Sequence, residues 1–234
     1  MLIPAISRLD ISALMAAALD ISLINILDRK SRFYLYLRFS HPVITTTGPP
    51  AGSRMRLNEE DMMNEILWPE GYLPGLTDNF ASNEVIVAGL SVADVWPLLN
   101  TPACWPDYYP NAANIRFYDD KGPELASQVR FYFETFGFPV EARVVEHEPP
   151  VDGQAARVAW HGWAGEEGSD DRLDVHHAWL LEDLPLGRLR ILTQETQRGK
   201  PAQAMAIAEP NPMIHGHDLW LKGLIKAAQA GKRA

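Results

Sequence analysis

From residue 83 onward the chain alternates apolar and polar positions in short runs separated by Gly, Pro, Asn and Asp clusters, the pattern of antiparallel strands. "NEVIVAG" (83–89) reads as a first strand. Ser91 caps "VADVWPLLN", a short helix containing Pro97, and "WPDYYPN" (105–111) supplies a second short helix or a turn. Ile115 and Phe117 mark the next strand. "SQVRFYFETF" (127–136), "PVEARVVEHE" (139–148), "QAARVAWHGW" (154–163) and the two halves of "RLDVHHAWLLEDLPLGRLRILTQETQ" (172–197) follow. The breakers "EPPVDG", "GEEGSDD" and "LPLG" divide them. The period then turns helical. Asn211 before Pro212 is a helix start, and Ile214, Leu221, Leu224, Ile225 and Ala228 form one apolar stripe. Helices at the two ends of one antiparallel run make the fold class α+β.

Side-chain parity orders the sheet. If Leu184 and Arg188 close the loop "PLG", Leu181 faces Ile191, Trp179 faces Thr193 and His177 faces Glu195. Closing the earlier hairpin between Phe136 and Pro139 sets Phe133 against Ala142 and Phe131 against Val144. Val158 then falls opposite Val144. This register puts Val129, Phe131, Phe133, Val140, Ala142, Val144, Val158, Trp160, Val175, His177, Trp179, Leu189, Ile191 and Thr193 on one dry face. Arg130, Glu134, Glu141, Arg143, Arg157, His161, Asp174, His176, Glu182, Arg190, Gln194 and Arg198 fall on the other, which is expected to be wet. A curved sheet gripping a long helix leaves an interior cavity, and such cavities take small molecules.

Two ionisable groups interrupt the dry face. His177 and Glu195 are expected as cross-strand neighbours in side-chain contact, since an unpaired carboxylate there costs several kcal/mol. They are candidates for a polar anchor or for a catalytic acid/base pair. The competing view is a satisfied interior pair that fixes the hairpin.

Composition narrows the partners. The 234 residues carry a net charge of −9 and a pI near 5.2, which argues against nucleic acid and anionic lipid surfaces. One cysteine, Cys104, allows no disulfide framework and no cysteine zinc site, and a reducing, cytoplasmic setting is expected. Residues 1–57 differ in texture and read as an N-terminal extension. "ISALMAAALDISLINIL" (11–27) is broken by Asp20 and Asn25, so no stable membrane insertion is expected. Residues 58–82 read as a capping helix begun at Asn58 and a loop, and residues 83–232 as the main domain. His215 and His217, two apart on a helix, point to different sides and give no metal site. No phosphate loop and no G-x-S-x-G elbow occur, and no cofactor is expected.

The run from "SNEVIVAGLSVADVWPLL" through "WPDYYPN", "GFPVEARVVEHEPP", "RVAWHGW" and "DVHHAWLLED" to the last helix resembles the START-like helix-grip (SRPBCC) superfamily. It is most similar to the polyketide cyclase/dehydrase and lipid-transport-like branch. The likeness covers about residues 80–230. It implies about seven antiparallel strands wrapped around the C-terminal helix, with two short helices after the first strand. It also implies a small hydrophobic ligand, lipid-like or aromatic, held inside. The expected ligand contacts are Phe131, Phe133, Val144, Val158, Trp160, His177, Trp179, Thr193 and Glu195 from the sheet, with His217 and Leu221 from the helix. Two other functions stay open: a cyclase or dehydratase using His177 and Glu195, and a chaperone-activator-like interaction module using the outer face.

Overall fold

A computed structural model describes residues 63–232. The extension expected at 1–57 and the helix start expected at Asn58 lie outside the described residues. The described part of the 58–82 segment is not helical at 63–67; it runs as irregular chain and turns up to the first strand.

Seven strands form one antiparallel sheet: β1 (Asn79–Ala88), β2 (Ala112–Phe117), β3 (Arg130–Thr135), β4 (Phe138–Glu148), β5 (Ala156–Ala164), β6 (Leu173–Leu184) and β7 (Arg188–Arg198). Their spatial order is β1-β7-β6-β5-β4-β3-β2. Every contact is therefore a hairpin or meander between chain neighbours, except that β7 returns to pair with β1. Between β1 and β2 lie α1 (Val92–Asn100), a 3-10 turn (Pro102–Cys104) and α2 (Trp105–Tyr108). After the sheet come α3 (Lys200–Ala206), which sequence periodicity did not reveal, and the long α4 (Pro212–Gly231). This is the START-like helix-grip architecture.

Local chemistry sets these boundaries. The Asp94 carboxylate accepts from the backbone N–H and the hydroxyl of Ser91, each at 2.8 Å, which fixes the start of α1. The Asn211 side chain accepts from the N–H of Met213 at 3.0 Å and starts α4. Two glycines let α4 seat closely. A Cβ on Gly223 would lie 1.9 Å from the carbonyl oxygen of Tyr108, and one on Gly216 would lie 2.5 Å from the Phe136 ring.

The β6–β7 register is as expected, with Leu184 opposite Arg188, Trp179 opposite Thr193 and His177 opposite Glu195. The β3–β4 register is not. Phe136 and Gly137 both take left-handed backbone, at φ 52° and 77°, so a two-residue turn closes Thr135 on Phe138. Phe131 then faces Ala142 and Phe133 faces Val140. The slip is by two residues, so the apolar set stays on its face. A bulge between Val144 and Glu146 moves the next pairing as well: Val144 faces Trp160, and Val158 faces His147 rather than Val144. In the stripe expected on the last helix, Ile214 is exposed; Gly216, His217 and Trp220 are buried beside Leu221, Leu224 and Ala228.

The outer face is not simply wet. Residues 64–72 cross it as a strap. Arg157 donates to the Glu65 carbonyl at 2.7 Å and Arg190 to the Asn64 carbonyl at 2.7 Å. Ile66 packs with Ala159, Ala178, Leu180 and Leu192 in a second apolar cluster. Trp68 and Tyr72 lie against His176, with ring centroids 5.5 and 5.9 Å away. Arg157, His176 and Arg190, expected in solvent, are buried in consequence. The guanidinium of Arg190 keeps its charge compensated by Glu84 and Glu182.

Candidate functional site

Three ionisable side chains meet on the inner face of the sheet. Alternation along β6 and β7 turns His177 and Glu195 inward, and the ladder sets them opposite each other. His177 Nδ1 lies 3.0 Å from Glu195 Oε2. His217, in the second turn of α4, brings Nε2 to 3.5 Å from the same oxygen. All three residues are buried. Thr193, two residues before Glu195 on β7, places its hydroxyl 2.8 Å from Nε2 of His177. Carboxylate, imidazole and hydroxyl thus form one line. The other Glu195 oxygen accepts from Gln197, whose carbonyl accepts from Asn79 at 2.7 Å, and Asn211 donates to Asn79 at 2.9 Å.

Electrostatics assign the charges. Burial alone pushes the Glu195 carboxyl up, but His177 and His217 beside it more than offset that and hold it below the usual carboxylate range. Burial pushes the His177 imidazole down, against the pull of Glu195. The resting state is therefore carboxylate with neutral imidazole, Nδ1–H toward Glu195, and the Thr193 hydroxyl donating to Nε2.

Aromatic rings wall the cluster. Trp160 stands 4.7 Å from His177 by ring centroids, Trp179 5.5 Å and Trp220 5.7 Å, while His177 and His217 lie nearly parallel at 4.7 Å. Tyr109 stacks on Trp220 at 4.3 Å, and burial lifts its hydroxyl to about 12. Three polar atoms here lack a hydrogen-bond partner, Nε1 of Trp179, Nε1 of Trp220 and Nδ1 of His217, and Nε2 of His217 has only the Glu195 carboxylate at 3.5 Å. Most buried polar groups are paired, so this concentration is unusual.

Phe131, Phe133, Val144, Val158, Trp160, His177, Trp179, Thr193, Glu195, His217 and Leu221 are all buried on the sheet–helix side, as anticipated. Trp105, Trp160, Trp179 and Trp220 interlock with Phe131 and Phe133 and occupy the space between sheet and α4. Four indoles thus stand in the space where the sequence led us to expect a cavity. Trp105, Tyr109 and Trp220 were not foreseen at the site. Trp220 carried the one available signal, since it follows His217 by three residues and precedes Leu224 by four on the same helix face. Surface clefts of about 420 and 620 Å³ share His161 and Arg172 and belong to the outer side.

No family model matches the chain, and no curated protein matches it. Among solved structures, the hypothetical protein jhp0584 from Helicobacter pylori is similar at 48% identity and a TM-score of 0.68, over 71% of this chain and 98% of that one. Protein MLL2253 from Mesorhizobium loti shows 14% identity and a TM-score of 0.48, over 65% of this chain and 98% of that one. The di-domain ARO/CYC BexL of the BE-7585A biosynthetic pathway shows 13% identity and a TM-score of 0.46, over 64% of this chain and 46% of that one. No described helix is long and apolar enough to cross a membrane. With that identity to jhp0584, the chain belongs to the family of the Helicobacter pylori protein, and its strand order and terminal helix give it a helix-grip fold.

Proposed function

We propose that the protein binds a small, mostly apolar molecule, lipid-like or aromatic, at the interior centre of His177, Glu195 and His217. The observation that carries this reading is the set of unpartnered polar atoms in an aromatic surround: the indole N–H groups of Trp179 and Trp220 and the ring of His217. A core selected for stability alone gains nothing from a buried carboxylate and orphaned donors, and apolar residues of equal volume do as well or better. Two indole donors suit an acceptor oxygen on the ligand, such as a carboxylate, carbonyl or sulfonate. The apolar body takes the place of rings that now fill the space. Binding therefore requires rearrangement of Trp220 and α4, and association slower than diffusion is expected.

The direct test uses 1-anilinonaphthalene-8-sulfonate, which combines aromatic rings with acceptor oxygens, and displacement by medium-chain fatty acids. Saturable, displaceable binding that weakens in Trp220→Phe supports the proposal. A folded sample that binds no probe contradicts it.

A second reading is favoured by the line Glu195–His177–Thr193. An ionised carboxylate orienting a neutral imidazole against a hydroxyl is the arrangement of a general base. Under this reading the protein is an enzyme of cyclase or dehydratase type, with His177 moving the proton. His177→Ala then abolishes turnover of a bound substrate while binding persists; equal loss of both removes the case for catalysis.

A further inference from the structure

We propose that His177, Glu195 and His217 also form a site for a divalent transition-metal ion of the zinc type. The donors come from β6, β7 and α4, and their ligating atoms all lie within 4.8 Å of one another. The separations from Glu195 Oε2 are 3.0 Å to His177 Nδ1 and 3.5 Å to His217 Nε2. Metal–ligand bonds of about 2.0–2.2 Å place neighbouring donors about 3–3.5 Å apart, so both contacts suit one ion. Two imidazoles and a carboxylate, with no thiolate, are the donor set of zinc or ferrous iron rather than of calcium or magnesium.

A second, independent feature is His217 itself. It is 1% exposed, its Nδ1 has no hydrogen-bond partner, and its Nε2 has only the Glu195 carboxylate at the long distance of 3.5 Å. A metal ion gives one of them a partner. The surrounding groups are arranged as an outer shell. With His177 Nδ1 on the metal, its other nitrogen carries the hydrogen and donates to Thr193, 2.8 Å away. Gln197 holds the second oxygen of Glu195, and Asn79 holds Gln197. From there Asn211 continues the polar chain to the partly exposed start of α4.

The metal shares the centre proposed above for a ligand, but it does not require the ligand. The test is titration of the tag-free, metal-stripped full chain with Co(II), read by visible absorption, followed by competition with Zn(II). The expected result is one equivalent bound with the spectrum of a four- or five-coordinate N/O site, displaced by Zn(II). Loss of the spectrum is expected in His217→Ala and Glu195→Gln, with no change in His215→Ala, which alters the exposed neighbour. Thr193→Val is expected to weaken binding by about 10–100-fold. Circular dichroism checks that each variant is folded. Where a variant is not folded, a Zn(II)-dependent rise in the wild-type Tm, absent with Mg(II), serves instead. Folded wild-type protein that binds neither Co(II) nor Zn(II), or a spectrum that survives His217→Ala, overturns the proposal. Probe binding without any metal binding overturns it too and leaves the ligand proposal standing.

Discussion

His177 on β6 and Glu195 on β7 stand directly opposite in the antiparallel ladder, with Nδ1 and Oε2 3.0 Å apart inside a wall of indole rings. Because both are buried, neither is replaceable alone at low cost. Glu195→Ala leaves two imidazoles without their carboxylate, and a loss of about 3–5 kcal/mol in urea denaturation is expected. The double variant His177→Leu/Glu195→Leu removes the charge and its partner together, and it is expected to recover a large part of that loss. A double variant as unstable as the sum of the singles shows that the pair does not act as a unit.

The strap across the outer face contributes packing as well as hydrogen bonds. Ile66 is 6% exposed and sits on Ala159, Ala178, Leu180 and Leu192. Ile66→Ala is expected to cost about 2 kcal/mol or more by the usual large-to-small deletion, measured by thermal or urea unfolding. Hydrogen exchange of the β5 and β6 amides is expected to rise in the same variant. An unchanged midpoint means that residues 64–72 do not hold the face they cover.

His176 makes stability depend on pH. Burial, then the neighbouring His177 and His161, lowers its imidazole from 6.5 to about 4. The unfolded chain therefore takes up this proton first as pH falls, and folding stability is lost between pH 6.5 and 4. From pH 7.5 to 5 the loss from this residue is about 2 kcal/mol. His176→Gln is expected to remove that part of the slope. Parallel curves for wild type and variant across this window count against a buried neutral His176.

What was legible in the sequence followed from parity. The loop "LPLG" fixed the β6–β7 register, and with it the meeting of His177 and Glu195, because a slip of one residue sends the whole apolar set to solvent. Parity does not detect slips of two. The Phe136-Gly137 turn and the bulge after Val144 therefore displaced the expected partners of Phe133 and Val158 without disturbing the faces. The strap was hidden for another reason: a segment that covers a sheet face through backbone carbonyls, as Glu65 and Asn64 do for Arg157 and Arg190, leaves no side-chain period to read. His217 was visible as a residue facing inward, but its approach to Glu195 depends on how α4 crosses the sheet. That crossing depends on close approaches at Gly216 and Gly223 to Phe136 of the β3–β4 turn and to Tyr108 of α2, residues far away in sequence. Trp160 and Trp179 were legible as core, but the arrival of Trp105 and Trp220 beside them, from α2 and α4, was not.

The central claim is that the interior centre, not the outer clefts, is where a ligand binds. It is tested most directly by two-dimensional 15N NMR of the indole N–H groups during titration with 1-anilinonaphthalene-8-sulfonate. Trp179 and Trp220, whose indole nitrogens are buried without partners, are expected to shift with the same saturation curve as the fluorescence. Trp163, which lines an outer cleft, and Trp68 of the strap are expected to stay in place. Movement of Trp163 or Trp68, with Trp179 and Trp220 unmoved, contradicts the account.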